Sequence, residues 1–192
     1  MKKTILIITI IFGLVLMTAC SKEQYLSGKH NVEIVIKDEG TIYLELDADT
    51  APITVTNFVN LARDGFYDGL TFHRIIENFM IQGGDPDADG SGGSGKTIKG
   101  EFKLNGVENN ISHKRGVISM ARSGLSYDSA SSQFFIMHVD YPGLDGHYAA
   151  FGHVTDGMDI VDKLAKTEII EGTDGYVALE NQPIIDTIRV IE

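Results

Sequence analysis

Two ligand-binding patterns overlap in one stretch, "GGDPDADGSGGSGKT" (Gly83–Thr97). Asp85, Asp87 and Asp89 followed by Gly90 spell the D-x-D-x-D-G opening of a calcium loop, whose oxygens surround a hard cation. Gly90–Thr97, "GSGGSGKT", satisfies G-x-x-x-x-G-K-[ST], in which successive backbone N–H groups cradle phosphates. Neither chemistry survives its context. A phosphate loop needs a helix after it, and "IKGEFKLNGVENN", with Gly100, Asn105, Gly106, Asn109 and Asn110, does not form one. A calcium loop needs a bidentate carboxylate at its twelfth position, which counted from Asp85 is Lys96.

Other polar residues stand where chemistry is less advertised. In "FHRIIENFMIQGGD" (Phe72–Asp85) and "SSQFFIMH" (Ser131–His138), Arg74, Gln82 and Gln133 interrupt strand-like apolar runs. Taken singly, each fits an outward, solvated strand position; buried without partners, each would be costly. The six histidines, His30, His73, His113, His138, His147 and His153, show no metal-ligand spacing. No metal or cofactor is expected.

The elements that must position these groups are short. "VEIVIK" (Val32–Lys37) and "TIYLEL" (Thr41–Leu46) alternate around Asp38-Glu39-Gly40, a hairpin pattern. Val55, Phe58, Val59 and Ala62 recur at helical spacing, between Pro52 near the start and Gly65 as the stop. "LTFHRII", "FMIQGG", "GVISMAR", "QFFIMHV" and "AAFGHV" read as further strands, and "PIIDTIRVI" as the last. "DGMDIVDKLAK" predicts a second helix capped by Asp156, with Met158, Val161 and Ala165 on one face. Many short strands with only two helices point to an antiparallel sandwich or barrel in one domain.

The N-terminus is of another kind. "MKKTILIITIIFGLVLMTAC" joins Lys2 and Lys3 to an apolar run too short to span a bilayer comfortably, a secretory leader over residues 1–19. Cys20, the single cysteine, follows "LMTA" and resembles the lipid-modified cysteine of bacterial lipoproteins. Residues 20–31 then read as a lipidated N-terminus and tether, and 32–192 as the folded domain. Without Lys2 and Lys3, 14 of the 16 basic side chains remain against 27 acidic ones, a formal charge of −13. That acidity disfavours nucleic acid and anionic headgroups, so attachment to the membrane's extracytoplasmic face is expected through the lipid.

"FHRIIENFMIQGGD", "GVISMAR", "SQFFI" and "LDGHYAAFG" together resemble, in order and spacing, the cyclophilin family of peptidyl-prolyl cis-trans isomerases, from about Val32 to Glu192. The resemblance implies a mainly β fold, a closed eight-stranded antiparallel barrel capped by two α-helices. It makes Arg74 the catalytic arginine and Phe79, Met80, Phe135 and Leu144 the pocket for the proline ring. Gln82 and Gln133 would contact the substrate backbone, Ala121 would be a floor position, and Gly90 would lie on the loop bordering the groove.

The sequence departs from the family's common pattern at several positions. Glu77-Asn78 replaces a frequent Pro-Gly, Arg122 a common Asn beside the proline's neighbours, and Tyr148 a pocket His. Gly143 replaces the Trp that helps bind cyclosporin, so weak inhibition by that drug is expected. The implied partners are proline-containing, unfolded or partly folded exported polypeptides, met by a monomer. A binder that uses the same groove with little turnover is the alternative, and it would have no need of Arg74.

Overall fold

A computed structural model describes residues 24–191. The expected leader, Cys20 and the first residues of the expected tether lie outside them. Strands β1 (Lys29–Ile36) and β2 (Gly40–Asp47) form the expected hairpin, followed by helix α1 (Pro52–Arg63). Then come β3 (Arg74–Ile76), β4 (Met80–Gly83), β5 (Val117–Met120), β6 (Phe134–Met137) and β7 (Ala150–Asp156). Helix α2 (Met158–Leu164) and β8 (Ile185–Ile191) close the chain. The start of β1 takes in Lys29, His30 and Asn31, the end of the segment read as a tether.

One antiparallel sheet of eight strands runs β3-β4-β6-β5-β7-β2-β1-β8 and curls into a half-barrel. The expected closure does not occur. The outer edge of β3 is already occupied: Ile75 N–H donates to Gly175 O at 2.7 Å, and Val177 N–H donates to His73 O at 3.0 Å. Gly175 allows that approach, because its φ is +83° and a Cβ there would lie 2.6 Å from Ile75 O. The sheet's ends meet where the chain before β3 runs past the start of β8, with a Thr71–Ile184 bridge and Ile185 N–H donating to Leu70 O at 2.7 Å.

Helix α1 buries Thr54, Val55, Phe58, Val59 and Ala62 on one face, as its spacing predicts. It ends in a Schellman motif, with Gly65 N–H donating to Ala62 O at 3.1 Å and Phe66 N–H to Leu61 O at 2.9 Å. At its start Ala51 offers no capping side chain. The buried carboxylate of Glu101 substitutes, accepting from Ile53 N–H (3.0 Å), Thr54 N–H (2.8 Å) and Thr54 Oγ1 (2.7 Å). A negative group there also complements the helix dipole. Glu101→Ala strands these buried donors, and the expected loss is about 2 kcal/mol, or roughly 4–8 °C in Tm by thermal melt. The second helix departs from its expected cap: Gly157, not Asp156, is the N-cap, and Asp156 Oδ1 only accepts from Gly157 N–H at 2.8 Å. The left-handed backbone of Gly157 turns the chain out of β7, so the residue before it cannot take the cap position.

Strand alternation splits the chain between two apolar clusters. Ile75, Ile81, Ile118, Met120, Phe134 and Ile136 join the main core under α1. Met80, Val117, Phe135 and Met137, pointing the other way, form a smaller cluster with Phe79, Ala121, Leu144 and Tyr148. The candidate site lies on this second face.

Candidate active site

Cross-strand register places two of the unusual polar residues, Arg74 and Gln82, in one row. Arg74 on β3 pairs with Gln82 on β4, Gln82 pairs with Phe135 on β6, and Phe135 pairs with Ser119 on β5. Because side chains alternate, all members of this row share a face. A cleft of about 360 Å³ opens there, lined by Arg74, Phe79, Met80, Gln82, Ala121, Arg122, Phe135, Leu144 and Tyr148. A second hollow of about 210 Å³ shares Gln82, Ala121 and Arg122 with it and adds Gly90 and Gln133. Every site residue expected within the domain therefore borders one groove; Cys20 lies outside the described residues.

A chain of side-chain hydrogen bonds runs along the groove. Arg74 Nη1 donates to Gln82 Oε1 at 3.1 Å, Gln82 Nε2 donates to Gln133 Oε1 at 2.9 Å, and Gln133 Nε2 donates to Gly90 O (3.1 Å) and Gly92 O (2.9 Å). At the other end Asp174 holds Arg74 twice. Nε donates to its backbone O at 2.8 Å and Nη2 to its carboxylate at 2.7 Å. The guanidinium is thereby fixed in plane, with one N–H on each terminal nitrogen left without a partner among the described residues.

The glycine-rich loop is tied down by side-chain hydrogen bonds. Asp85 is fully buried, and its carboxylate accepts from Asp87 N–H at 2.9 Å and Gly90 N–H at 2.5 Å. A Cβ on Gly92 would meet Asp85 Oδ1 at 2.1 Å, so only glycine fits against that carboxylate. The aspartate that opened the apparent calcium motif thus organises the loop's own turn, as Asx residues do.

The apolar end is positioned from behind. Phe135 stacks on buried His113 (ring centroids 6.0 Å, 17° between planes) and meets Tyr148 edge-on at 5.7 Å. His113 Nδ1 lies 2.9 Å from Asp145 Oδ1, and its Nε2 lies 3.1 Å from Ser119 Oγ. An ionised carboxylate only accepts, so Nδ1 carries the proton and Ser119 donates to Nε2. This Ser-His-Asp geometry is not a nucleophile's, since Ser119 is fully buried. It anchors Asp145, which follows Leu144 and also accepts from His113 N–H at 2.7 Å and Ser112 Oγ at 2.6 Å. The Glu77-Asn78 replacement is accommodated, with Asn78 in the left-handed region (φ 63°) and its N–H donating to His138 Nδ1 at 2.9 Å.

Burial lowers the pKa of His73 and of His113 below the ordinary 6.5, against the opposing pull of Asp85 on the first and Asp145 on the second. Both ring nitrogens of His73 are buried without a hydrogen-bond partner among the described residues. A depressed histidine pKa means that the unfolded chain takes up protons first. The stability these neutral rings contribute is complete above 6.5 and falls as pH drops through the folded values. Thermal melts from about pH 8 to about pH 5 are expected to show a flat Tm followed by a decline that begins near neutrality, above the range of carboxylate titration. A Tm unchanged down to about pH 5 would contradict this.

Asp174, Tyr176, Asp145 and His113 were not anticipated as parts of the site. Asp174 and Tyr176 sit in a polar, turn-rich segment, and no local pattern ties them to Arg74, a hundred residues away in sequence. The family described as cyclophilin type peptidyl-prolyl cis-trans isomerase matches residues 31–190. A peptidyl-prolyl cis-trans isomerase of Helicobacter pylori is 47% identical over 136 residues, covering 70% of this chain and 80% of that protein. Peptidyl-prolyl cis-trans isomerase B of Bacillus subtilis is 42% identical over 137 residues, covering 71% and 92%. The crystal structure of a cyclophilin type peptidyl-prolyl cis-trans isomerase of Cryptosporidium parvum superposes with a TM-score of 0.76 at 29% identity, covering 86% and 99% of the two chains. The same Cryptosporidium protein, determined in the presence of the dipeptide Ala-Pro, gives 0.74. With the family match spanning residues 31–190 and the fold in agreement, the protein belongs to the cyclophilin-type peptidyl-prolyl cis-trans isomerase family.

Proposed function

We propose that this chain isomerises X–Pro bonds in exported polypeptides, with Arg74 as the group that touches the reacting bond. The observation that carries the reading is the fixed Arg74 guanidinium at the rim of the pocket formed by Phe79, Met80, Phe135 and Leu144. Amide resonance sets a barrier of ~18–20 kcal/mol, and the uncatalysed reaction takes tens to hundreds of seconds. No covalent bond breaks, so neither nucleophile nor metal is required. As the bond twists, the prolyl nitrogen regains a lone pair, and a pre-oriented N–H of Arg74 donates to it more strongly than to the planar ground state. The apolar pocket grips the ring, Gln82 and Gln133 hold the peptide backbone, and Ala121 and Tyr148 complete the walls. Each ~1.4 kcal/mol of selective stabilisation gives a factor of ten, so ~7 kcal/mol gives about 10⁵-fold.

NMR exchange spectroscopy on a proline peptide tests the chemistry, and absence of accelerated exchange with the wild-type protein would refute it. The exported setting rests on the leader and Cys20. Expression of the full-length chain in a bacterium, with fractionation of wild type and Cys20→Ala, tests the anchor. Wild type is expected in membranes and the variant in soluble fractions; equal partition would remove the lipid from the account.

A further inference from the structure

Arg122 stands at the junction of the two compartments and lines both. Its guanidinium carbon lies 4.8 Å from the ring centre of Tyr148, 5.1 Å from that of Tyr127 and 5.3 Å from that of Phe102. Three rings therefore cage the cation, which favours guanidinium over ammonium. Two carbonyls orient it: Nε donates to His147 O at 3.0 Å and Nη1 to Ser123 O at 3.0 Å. Nη2 makes no hydrogen bond among the described residues.

The charge balance is the telling feature. Arg74, Arg115 and Arg189 each pair with a carboxylate, of Asp174, Asp162 and Glu33 respectively. Arg122 and Arg63 have no carboxylate partner among the described residues, and of these two only Arg122 lines the groove. Of the side chains lining the groove, Arg74, Arg122 and Asp174 are the charged ones, and Asp174 is committed to Arg74. The groove thus keeps one uncompensated positive charge in a chain whose formal net charge is −11. Held in place by rings and carbonyls, that charge needs no side-chain ordering when a ligand arrives, which removes a common cost of an ion pair.

We propose that Arg122 makes this enzyme selective for prolines flanked, within two residues, by a glutamate or aspartate, whose carboxylate pairs with the free Nη2 edge. The proposal rests on the isomerase reading of the groove. Its test uses proline peptides that differ only by Glu or Gln at each of the two positions before and after proline, followed by NMR exchange with the full domain. At one of these positions the wild-type protein should turn over the Glu peptide about fivefold better than the Gln peptide at low salt. That ratio should shrink at high salt and fall to unity or below in Arg122→Gln, where the protein's overall negative charge is unopposed. Arg122→Lys should keep part of it. Because the readout is a ratio, it does not depend on how far either variant changes absolute activity. A ratio of one at all four positions in wild type, or a preference that survives Arg122→Gln, overturns the proposal. Loss of turnover for every peptide would count instead against the isomerase reading, and the Glu-to-Gln ratio of Kd from NMR titration would still decide the role of Arg122.

Discussion

Arg74→Ala is expected to lower kcat/KM for a proline peptide by about 10²–10³ while leaving the fold intact. The size follows from what the side chain does in the proposed mechanism. It supplies a donor that strengthens only as the prolyl nitrogen pyramidalises, so its removal reduces transition-state stabilisation without a matching loss in ground-state binding. KM should change little, because the ring pocket of Phe79, Met80, Phe135 and Leu144 and the amides of Gln82 and Gln133 remain. The stability cost should be small, since Arg74 lies on the groove face and its partner Asp174 is mostly exposed, so water solvates the freed carboxylate. Arg74→Lys is expected to recover little. An ammonium cannot hold Gln82 Oε1, the backbone O of Asp174 and its Oδ2 while presenting a further donor in the same plane. NMR exchange and circular dichroism on the same samples separate catalysis from folding. Activity within a factor of about three of wild type would remove Arg74 from the mechanism.

The largest stability effect is expected on the other face of the sheet, on β6. Phe134 is fully buried beside Phe135 and meets Phe58, Tyr67 and Phe72 edge to face, with ring centroids at 5.5, 5.7 and 5.9 Å. Phe134→Ala removes one of the rings that join α1 to the sheet and leaves a cavity lined by side chains that cannot all collapse into it. A loss of about 4 kcal/mol follows, roughly 8–16 °C in Tm for a domain of this size. Below its lowered Tm the variant should retain most of its kcat/KM, since Phe135 and not Phe134 faces the groove. These paired outcomes, Arg74→Ala stable but slow and Phe134→Ala active but labile, check that the strands separate chemistry from packing by alternation.

Much of this organisation was legible in the residues themselves. The alternation in "VEIVIK" and "TIYLEL" specified a hairpin, and the spacing of Val55, Phe58, Val59 and Ala62 specified the buried face of α1, because period and burial are local properties. The blocks around Arg74, Gln82, Gln133 and Phe135 carried most of the groove, because β3 and β4 are joined by a short turn and the row needs only strand register. The phosphate pattern was rejected for want of a following helix and the calcium pattern on Lys96 at its twelfth position, and the structure explains both as a loop built on buried Asp85.

What the sequence determined by itself was the inventory: eight strands, two helices, and polar residues interrupting apolar strand-like runs. Only the tertiary structure decided what those residues meet. Glu101 reaches the start of α1 from 47 residues away in sequence, and Asp174 reaches Arg74 across 100. The segment that carries Asp174 also occupies the edge of β3 and so leaves the sheet open where a closed barrel was expected. The three rings around Arg122 come from separate parts of the chain in the same way. Propensity and period act over a few residues, whereas these contacts depend on how a curled sheet brings distant loops together. The curl is set by the packing of the whole core, which no short pattern encodes.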